Sequence, residues 1–439
     1  MSEILEAPAR EAQSAAPERL MNKNFVLLWQ GQLVSQLGSQ AFSIAMMFWI
    51  KHATESASLL GLIMMGSALP AVLLGPVGGT FADRHSRWRI LVVADVVRGL
   101  LVTALAVTLF LVPSQTGPIL VLLVVVAILV SVMDAFFRPA VTASIPDLVP
   151  NAKVPAANSL NKISVDTSTF LGQALGGLFY RLLGPATLFL IDGLSYLVAA
   201  VAALFIHIPQ RIPERAKTLR DSFAGFRRDL GAGLSYVWRT PGTRAIVLVM
   251  PLFNALLVPI IVLFPFYVED LLGKPSDWFG YLVAGFGAGA LVGSACAGGI
   301  PLSGSAASRL VLASGILYGL GPLGLGLVRS PWAALAVIAF TGVMNGFMNV
   351  RIVSSLQRTT PSSLRGRVFG LMETLVFSLT PIAMGLAGVL ADLTGKNVPA
   401  IFITCGLAIS ALALFLAASA PVRSFLAVEA TVQEEAGAG

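Results

Sequence analysis

Charge is scarce in this chain, and eight ionisable side chains fall where charge is costly. Asp95, Arg98, Asp134, Arg138, Asp166, Asp192, Arg351 and Glu373 lie inside long apolar runs. An ionised group at the centre of a bilayer costs roughly 2.5–3.5 kcal/mol on insertion scales, so each is a candidate for function. Asp95 and Arg98 are one helical turn apart, the spacing of a local ion pair, and are expected to be structural. Asp166 and Glu373 each sit some two turns into an apolar run, with Lys162 the only cation nearby on the same run. Burial penalises the charged form of a carboxylate, so such a group can exchange a proton at physiological pH. Proton exchange is one expectation for Asp166 and Glu373, and salt bridges to Lys162 or Arg351 are the other. Asp192, beside Ser195 and Tyr196, reads as a helix-packing acid first and a third proton carrier second.

The first apolar run carries Trp29, Gln32, Gln36, Ser39, Gln40 and Ser43, close to an i, i+4 stripe. Such a stripe at membrane depth faces a cavity or another helix rather than lipid. Phe42, Met46 and Trp49, with Asn254, Asn345 and Asn349 from later runs, would add aromatic, thioether and amide groups around one central space. Met and aromatic surfaces adapt to ligands of different shape, which favours a neutral or cationic amphipathic ligand. For any one of these residues, a hydrogen bond between helices is the competing explanation.

Between the second and third runs stands GGTFADRHSRWR, residues 78–89. Gly78 and Gly79 allow close helix approach. A carboxylate at Asp83 can face the partly positive N-terminus of the helix that begins after Thr360-Pro361. Arg87 is expected to reach Asp134, the carboxylate at the inner end of the fourth run. Gly79, Asp83, Arg84, Arg87 and Asp134 thus form a candidate latch between distant parts of the chain. Alternatively, the arginines only anchor the loop on one side of the membrane.

These residues need a scaffold, and composition names its solvent. Of 439 residues, 56% are hydrophobic and 12% charged, and the mean hydropathy is +0.83. A soluble domain carries about 25% charged residues, so no water-soluble core could hide this much apolar surface. Apolar runs of spanning length lie near 25–50, 57–81, 89–112, 117–138, 158–181, 186–208, 243–268, 278–301, 307–328, 331–353, 366–391 and 398–418. Twelve helices place both termini on one side. Of the 29 Lys and Arg residues, five (Lys51, Arg181, Lys274, Arg329 and Lys396) then fall on the outer side and the other 24 on or near the inner side. That bias sets both termini in the cytoplasm of a bacterial inner membrane.

Residues 1–22 read as a disordered cytoplasmic tail rather than a signal peptide, and 421–439 as a second tail. Residues 23–208 and 243–420 form two six-helix bundles. The connector 209–242 is Arg-rich, and Phe223, Phe226, Leu230, Leu234 and Trp238 are spaced as an amphipathic helix on the inner leaflet, or as a solvated basic linker. Cys296 and Cys405 both lie in apolar runs and read as small packing residues. Aligning Pro150 with Pro361 offsets two similar segments by 211 residues, about half the chain, as expected for a duplicated six-helix unit with a site between the copies.

The loop at 78–89 resembles the G-x-x-x-D-R-x-x-R signature of the major facilitator superfamily. NFVLLWQGQLVSQLG, Asp95-Val-Val-Arg98, FFRPA with IPDLVP, Ala157-Asn158-Ser159-Leu160 and RGRVFG at 365–370 make the chain similar to its drug:proton antiporter branch. That branch holds macrolide-efflux proteins and an enterobactin exporter, and the resemblance runs from about Asn24 to Ala418. It departs at Ser86, often Gly, and after Gly299, where Ser303 and Gly304 stand at the positions of Asp and Arg. The resemblance implies an all-α membrane protein of two pseudo-symmetric bundles, usually monomeric, exporting small amphipathic compounds in exchange for protons. It also implies that the helices bearing Asp166 and Glu373 line the interface between halves. A lipid flippase or uncoupled facilitator is the alternative.

No G-x-x-x-x-G-K-[ST] loop is present, so energy comes from a gradient or the substrate itself. His52, His85 and His207 are scattered and make no metal triad. No enzyme activity, cofactor, metal or nucleic-acid partner is expected; the partners are substrate, protons and membrane lipid.

Overall fold

The structure is a computed structural model and describes residues 19–210, 231, 233–300 and 304–427. Eleven helical stretches among the described residues are long and apolar enough to cross a membrane. The longest, Asn151–Leu204, has 54 residues and would reach about 80 Å as one rod, far more than the ~30 Å of a bilayer core. It divides at Gly184, whose φ of 73° and ψ of 166° lie outside the helical region, followed by Pro185. Only glycine adopts that backbone at no steric cost. The stretch therefore holds spans five and six, giving twelve spans.

In chain order the remaining spans are Lys23–Thr54, Ala57–Arg84, Arg87–Leu111 and Thr116–Leu148, then Pro241–Phe266, Asp277–Gly299, Gly304–Leu327 and Pro331–Thr359. Span eleven is built of Ser362–Ser378 and Thr380–Leu393, and span twelve is Val398–Ala418. Short polar residues start several of them. Asn22, Ser56, Ser86 and Asn397 each accept a backbone N–H of the first turn, satisfying donors that a helix leaves open. Large apolar side chains such as Leu73, Leu111, Val121, Leu291 and Leu393 stay exposed on the outside, the surface expected of a fold solvated by lipid.

Span one packs chiefly on the span five and six hairpin, span two on four, span eight on ten and span nine on twelve. The two bundles meet mainly where span two runs along Thr380–Leu393 and where span five crosses span eight. Both crossings have no room for a side chain: a Cβ at Gly388 would meet the Ala57 carbonyl, and one at Gly280 the Ala174 carbonyl. Both lie at the end of the molecule away from the connector and the described chain termini; we call this the far end and the opposite one the connector end. Lys51, Arg181, Lys274, Arg329 and Lys396 all sit at the far end.

Two boundaries change. Residues expected in a disordered tail from 421 onward instead form a short helix, Ala420–Leu426, because Val422, Phe425 and Leu426 bury against span seven. In the connector, 233–239 is helical with Val237 buried and Trp238 exposed. Phe223, Phe226 and Leu230 lie outside the described residues, as do 1–18, Ser303 and 428–439.

Candidate functional site

Span one presents Gln32, Gln36, Gln40, Ser43 and Met47 to two adjoining chambers that share Gln40. The first, of about 270 Å³, is polar and lies within the first bundle among spans one, three, four, five and six. Its wall includes Arg98, Asp134, Arg138 and Tyr196. The second, of about 430 Å³, is apolar and lies between the bundles, lined by Met47, Met64, Phe264, Phe286, Tyr318 and Met384 among others. Gln173 Nε2 donates to Gln40 Oε1 at 3.2 Å where the chambers meet.

Arg98 organises the polar chamber. Its guanidinium donates to Asp95 Oδ1 at 2.5 Å and to Asp134, and stacks 3.9 Å from the Phe137 ring centroid and 4.5 Å from that of Tyr196. Two carboxylates and two aromatic faces hold it where a lone cation would be costly. The expected Asp95–Arg98 pair is present. Behind it lies Asp192, 1% exposed, in no ion pair among the described residues. Ser39 Oγ lies 3.5 Å from Asp192 Oδ1 and 2.7 Å from the Tyr196 hydroxyl. Ser39 Oγ also donates to the Ser35 carbonyl at 2.7 Å, so the hydroxyls of Tyr196 and Ser39, both on the chamber wall, stand between the chamber and this buried carboxyl. Gly38 makes room for that acid: a Cβ there would stand 2.7 Å from Asp192 Oδ1 and 2.9 Å from Ser195 Oγ.

The far end is closed by polar contacts between halves. Lys51, at the end of span one, reaches Glu269 and Asp270 at 2.6 Å each. His52 Nε2 is 2.9 Å from Glu269 and its Nδ1 is 2.8 Å from the Tyr180 hydroxyl. Arg181 pairs with Asp277 at 2.8 Å. Both acids opposite Lys51 come from a single π-helical turn, Tyr267–Leu271. It follows Pro265, whose missing N–H interrupts the regular ladder. Nothing in the sequence flagged this cluster, because Lys51 and Glu269 lie 218 residues apart.

The connector end is open. Asp83 is 74% exposed and its one ion pair among the described residues is to Arg87, four positions on, at 3.8 Å; span eleven starts at Ser362 with no side-chain cap. Arg87 does not reach Asp134. It binds Asp147 Oδ2 at 2.5 Å and the Ala143 carbonyl at 2.7 Å, because span four continues past Pro139 and Pro146 to Leu148 and carries a second acid nearer the loop. Asp134 lies deeper and belongs to Arg98. Gly78, not Gly79, makes the close approach, against the Ala135 carbonyl. Arg84 leaves one buried guanidinium nitrogen without a hydrogen bond.

Other expected residues divide. Asp166 binds Lys162 at 2.6 Å, with both side chains more than half exposed, so the salt bridge rather than a desolvated acid is found there. Glu373 is exposed and without an ion pair among the described residues. Arg351 donates to the Ile300 carbonyl. Trp29 Nε1 donates to Ser164 Oγ at 2.6 Å, and Asn254 Oδ1 accepts from Thr380 at 2.8 Å, so both act between helices. Phe42, Met46 and Trp49 point into the packed core; the chamber-facing thioether of span one is Met47. Asn345 lies beside Tyr318, and Asn349 is exposed.

Comparison with known proteins gives a consistent result. The family model described as "Transmembrane secretion effector" matches residues 12–436. Macrolide efflux protein A of Streptococcus pyogenes is 26% identical over 85% of this chain and 90% of its own length. The multidrug efflux pump Tap of Mycolicibacterium fortuitum is 24% identical over 85% and 90%. Among solved structures, a bacterial homolog of the human lysosomal transporter Spinster, inward-facing and unoccupied, superposes with a TM-score of 0.64 at 15% identity, covering 94% of this chain and 98% of that one. A peptide transporter POT in complex with alafosfalin gives 0.65 at 16%, covering 94% and 97%.

Proposed function

Because this chain belongs to the transmembrane secretion effector family of the major facilitator superfamily, we propose that it exports small amphipathic compounds by alternating access, in exchange for protons bound at Asp192. The observation that carries this is the pair of chambers meeting at Gln40, sealed at the far end and open at the connector end. A compound with an apolar body and a polar head matches the two linings. Arg98 and Arg138 offset Asp95 and Asp134, so the polar chamber carries no net formal charge and suits a neutral polar head.

In this reading the connector end faces the cytoplasm of a bacterial inner membrane, in keeping with the Lys and Arg bias, and the protein works as a monomer. Substrate enters from the cytoplasm or inner leaflet. The far-end pairs of Lys51, His52 and Arg181 must break for release, while Asp83 docks on the start of span eleven and closes the inner side. Arg87, bound to Asp147, holds the loop that carries Asp83. Opening the far end lets a proton reach Asp192 through Tyr196 and Ser39, and its discharge inward resets the cycle. Asp166 and Glu373, both exposed in this state, serve as rim charges rather than as the coupling acid.

The test is transport in proteoliposomes with and without an imposed pH gradient, using a labelled macrolide and a lipophilic cationic dye. Gradient-driven accumulation is expected, and Asp192→Asn should abolish it while sparing downhill exchange. Accumulation unchanged in Asp192→Asn would remove Asp192 from the mechanism. Equal rates with and without the gradient in the unaltered protein would favour an uncoupled facilitator or lipid flippase.

A further inference from the structure

Span eleven ends at the far side in Asp392, and this carboxylate does not serve its own helix. It crosses to the other bundle and caps span two. Oδ1 accepts from the Ala57 N–H at 3.1 Å; Oδ2 accepts from the Ser58 N–H and the Ser56 hydroxyl, each at 2.8 Å. Ser56 already caps the same helix locally by accepting from Leu59 N at 3.1 Å. A folded, stable span two therefore does not need a second cap from 335 residues away. What the second cap does is tie the two bundles together, through charge on the partly positive end of a helix.

The tie sits where the crossing is tightest. A Cβ at Gly61 would meet the Met384 carbonyl, and one at Gly388 the Ala57 carbonyl, so the cap cannot form unless the helices are fully closed. The opposite ends of the same two helices show the complementary condition: Asp83 of span two is exposed, and the N-terminus of span eleven has no side-chain cap. Each helix of the pair carries an acid near its last turn, and each has a first turn that the other's acid can cap. One acid is docked on the other bundle; Asp83 meets only Arg87, next to it in the chain, among the described residues.

We infer that Asp392 is a positioning residue for transport, the outer latch that holds the far end closed. It is the reciprocal of Asp83, so that rocking the bundles exchanges one cap for the other. The inference rests on the alternating-access reading above. Because the two docked states compete, losing one acid biases the equilibrium toward the state held by the other.

The test uses spin-label distances in nanodiscs, on protein with Cys296 and Cys405 replaced by Ala. One pair, Leu111→Cys with Leu327→Cys, reports the far end, and a second, Arg89→Cys with Arg309→Cys, the connector end. Asp392→Asn should raise the ratio of far-end-open to far-end-closed protein about 5- to 30-fold, the range for a charged multi-bond cap. Asp392→Glu should restore most of the closed population, and Asp83→Asn should shift the ratio the opposite way. An Asp392→Asn variant with both distance distributions unchanged, while Asp83→Asn still shifts them, overturns the outer latch alone. Opening that Asp392→Glu fails to reverse, together with a lowered melting temperature, also overturns it, as a folding defect. A single invariant distance at each end in every variant overturns the latch and the alternating-access reading together.

Discussion

Replacing Lys51 with Met should open the far end more than any other single change there. Lys51 is 8% exposed and Glu269 15%, so their pair is nearly buried, whereas Asp270 is 57% exposed and weakly coupled. Removing one partner of a buried pair costs about 3–5 kcal/mol, and an exposed pair about 0–1 kcal/mol. His52, 2.9 Å from Glu269, keeps part of the compensation. The closed state should thus lose about 2–3 kcal/mol relative to the open one, a shift of roughly 30- to 150-fold in their ratio. Met64 lines the apolar chamber, so a cysteine there reports access. In intact cells of a strain lacking Cys296 and Cys405 in this chain, an impermeant maleimide should label Met64→Cys faster by that factor once Lys51→Met is added. Adding Glu269→Gln should recover much of the loss, because no buried unpaired charge then remains; Asp270 is exposed. A labelling rate indifferent to Lys51→Met would refute the assignment of this cluster as the outer gate.

Other expectations follow from the same geometry. Gly280→Leu places a side chain against the Ala174 carbonyl and should also raise far-side labelling, by overpacking worth about 1–3 kcal/mol. Gly38→Ala should lower the melting temperature in detergent by crowding Asp192 and Ser195, while Gly79→Ala, which meets nothing within 4 Å, should not. Arg87→Ala and Asp147→Asn should slow transport by similar factors without adding when combined, since they remove one interaction; Asp134→Asn should add to either.

The spans, their order and the bias of positive charge were legible because hydropathy and length are local properties. The polar stripe of span one was legible in outline but not in phase. Counting i, i+4 from Gln32 and Gln36 leads through Gln40 to the chamber, yet Phe42, Met46 and Trp49 fall on the other face, where packing against the second hairpin decides. The acids were harder. For Asp166 the apolar run leaves both a proton-exchanging acid and a salt bridge open, and the exposed i, i+4 pair with Lys162 is the second. Asp192 has the burial, because Gly38 on span one admits it, and no pattern within span six announces that neighbour. Hydropathy ends the fourth run at Arg138 and so selects Asp134 for Arg87, whereas the helix continues to Leu148 and carries Asp147 nearer the loop. The Lys51–Glu269 pair and the Asp392 cap join residues more than 200 positions apart, and only the fold brings them together.

The central claim is that one central site opens to one side at a time. The two distances, Leu111 to Leu327 at the far end and Arg89 to Arg309 at the connector end, measured in nanodiscs on transporter whose only other changes are Cys296→Ala and Cys405→Ala, at neutral and acid pH, with and without macrolide, test it directly. The account predicts that every condition lengthening the first shortens the second. Distances that lengthen together, or a far end that stays closed in every condition, would contradict it.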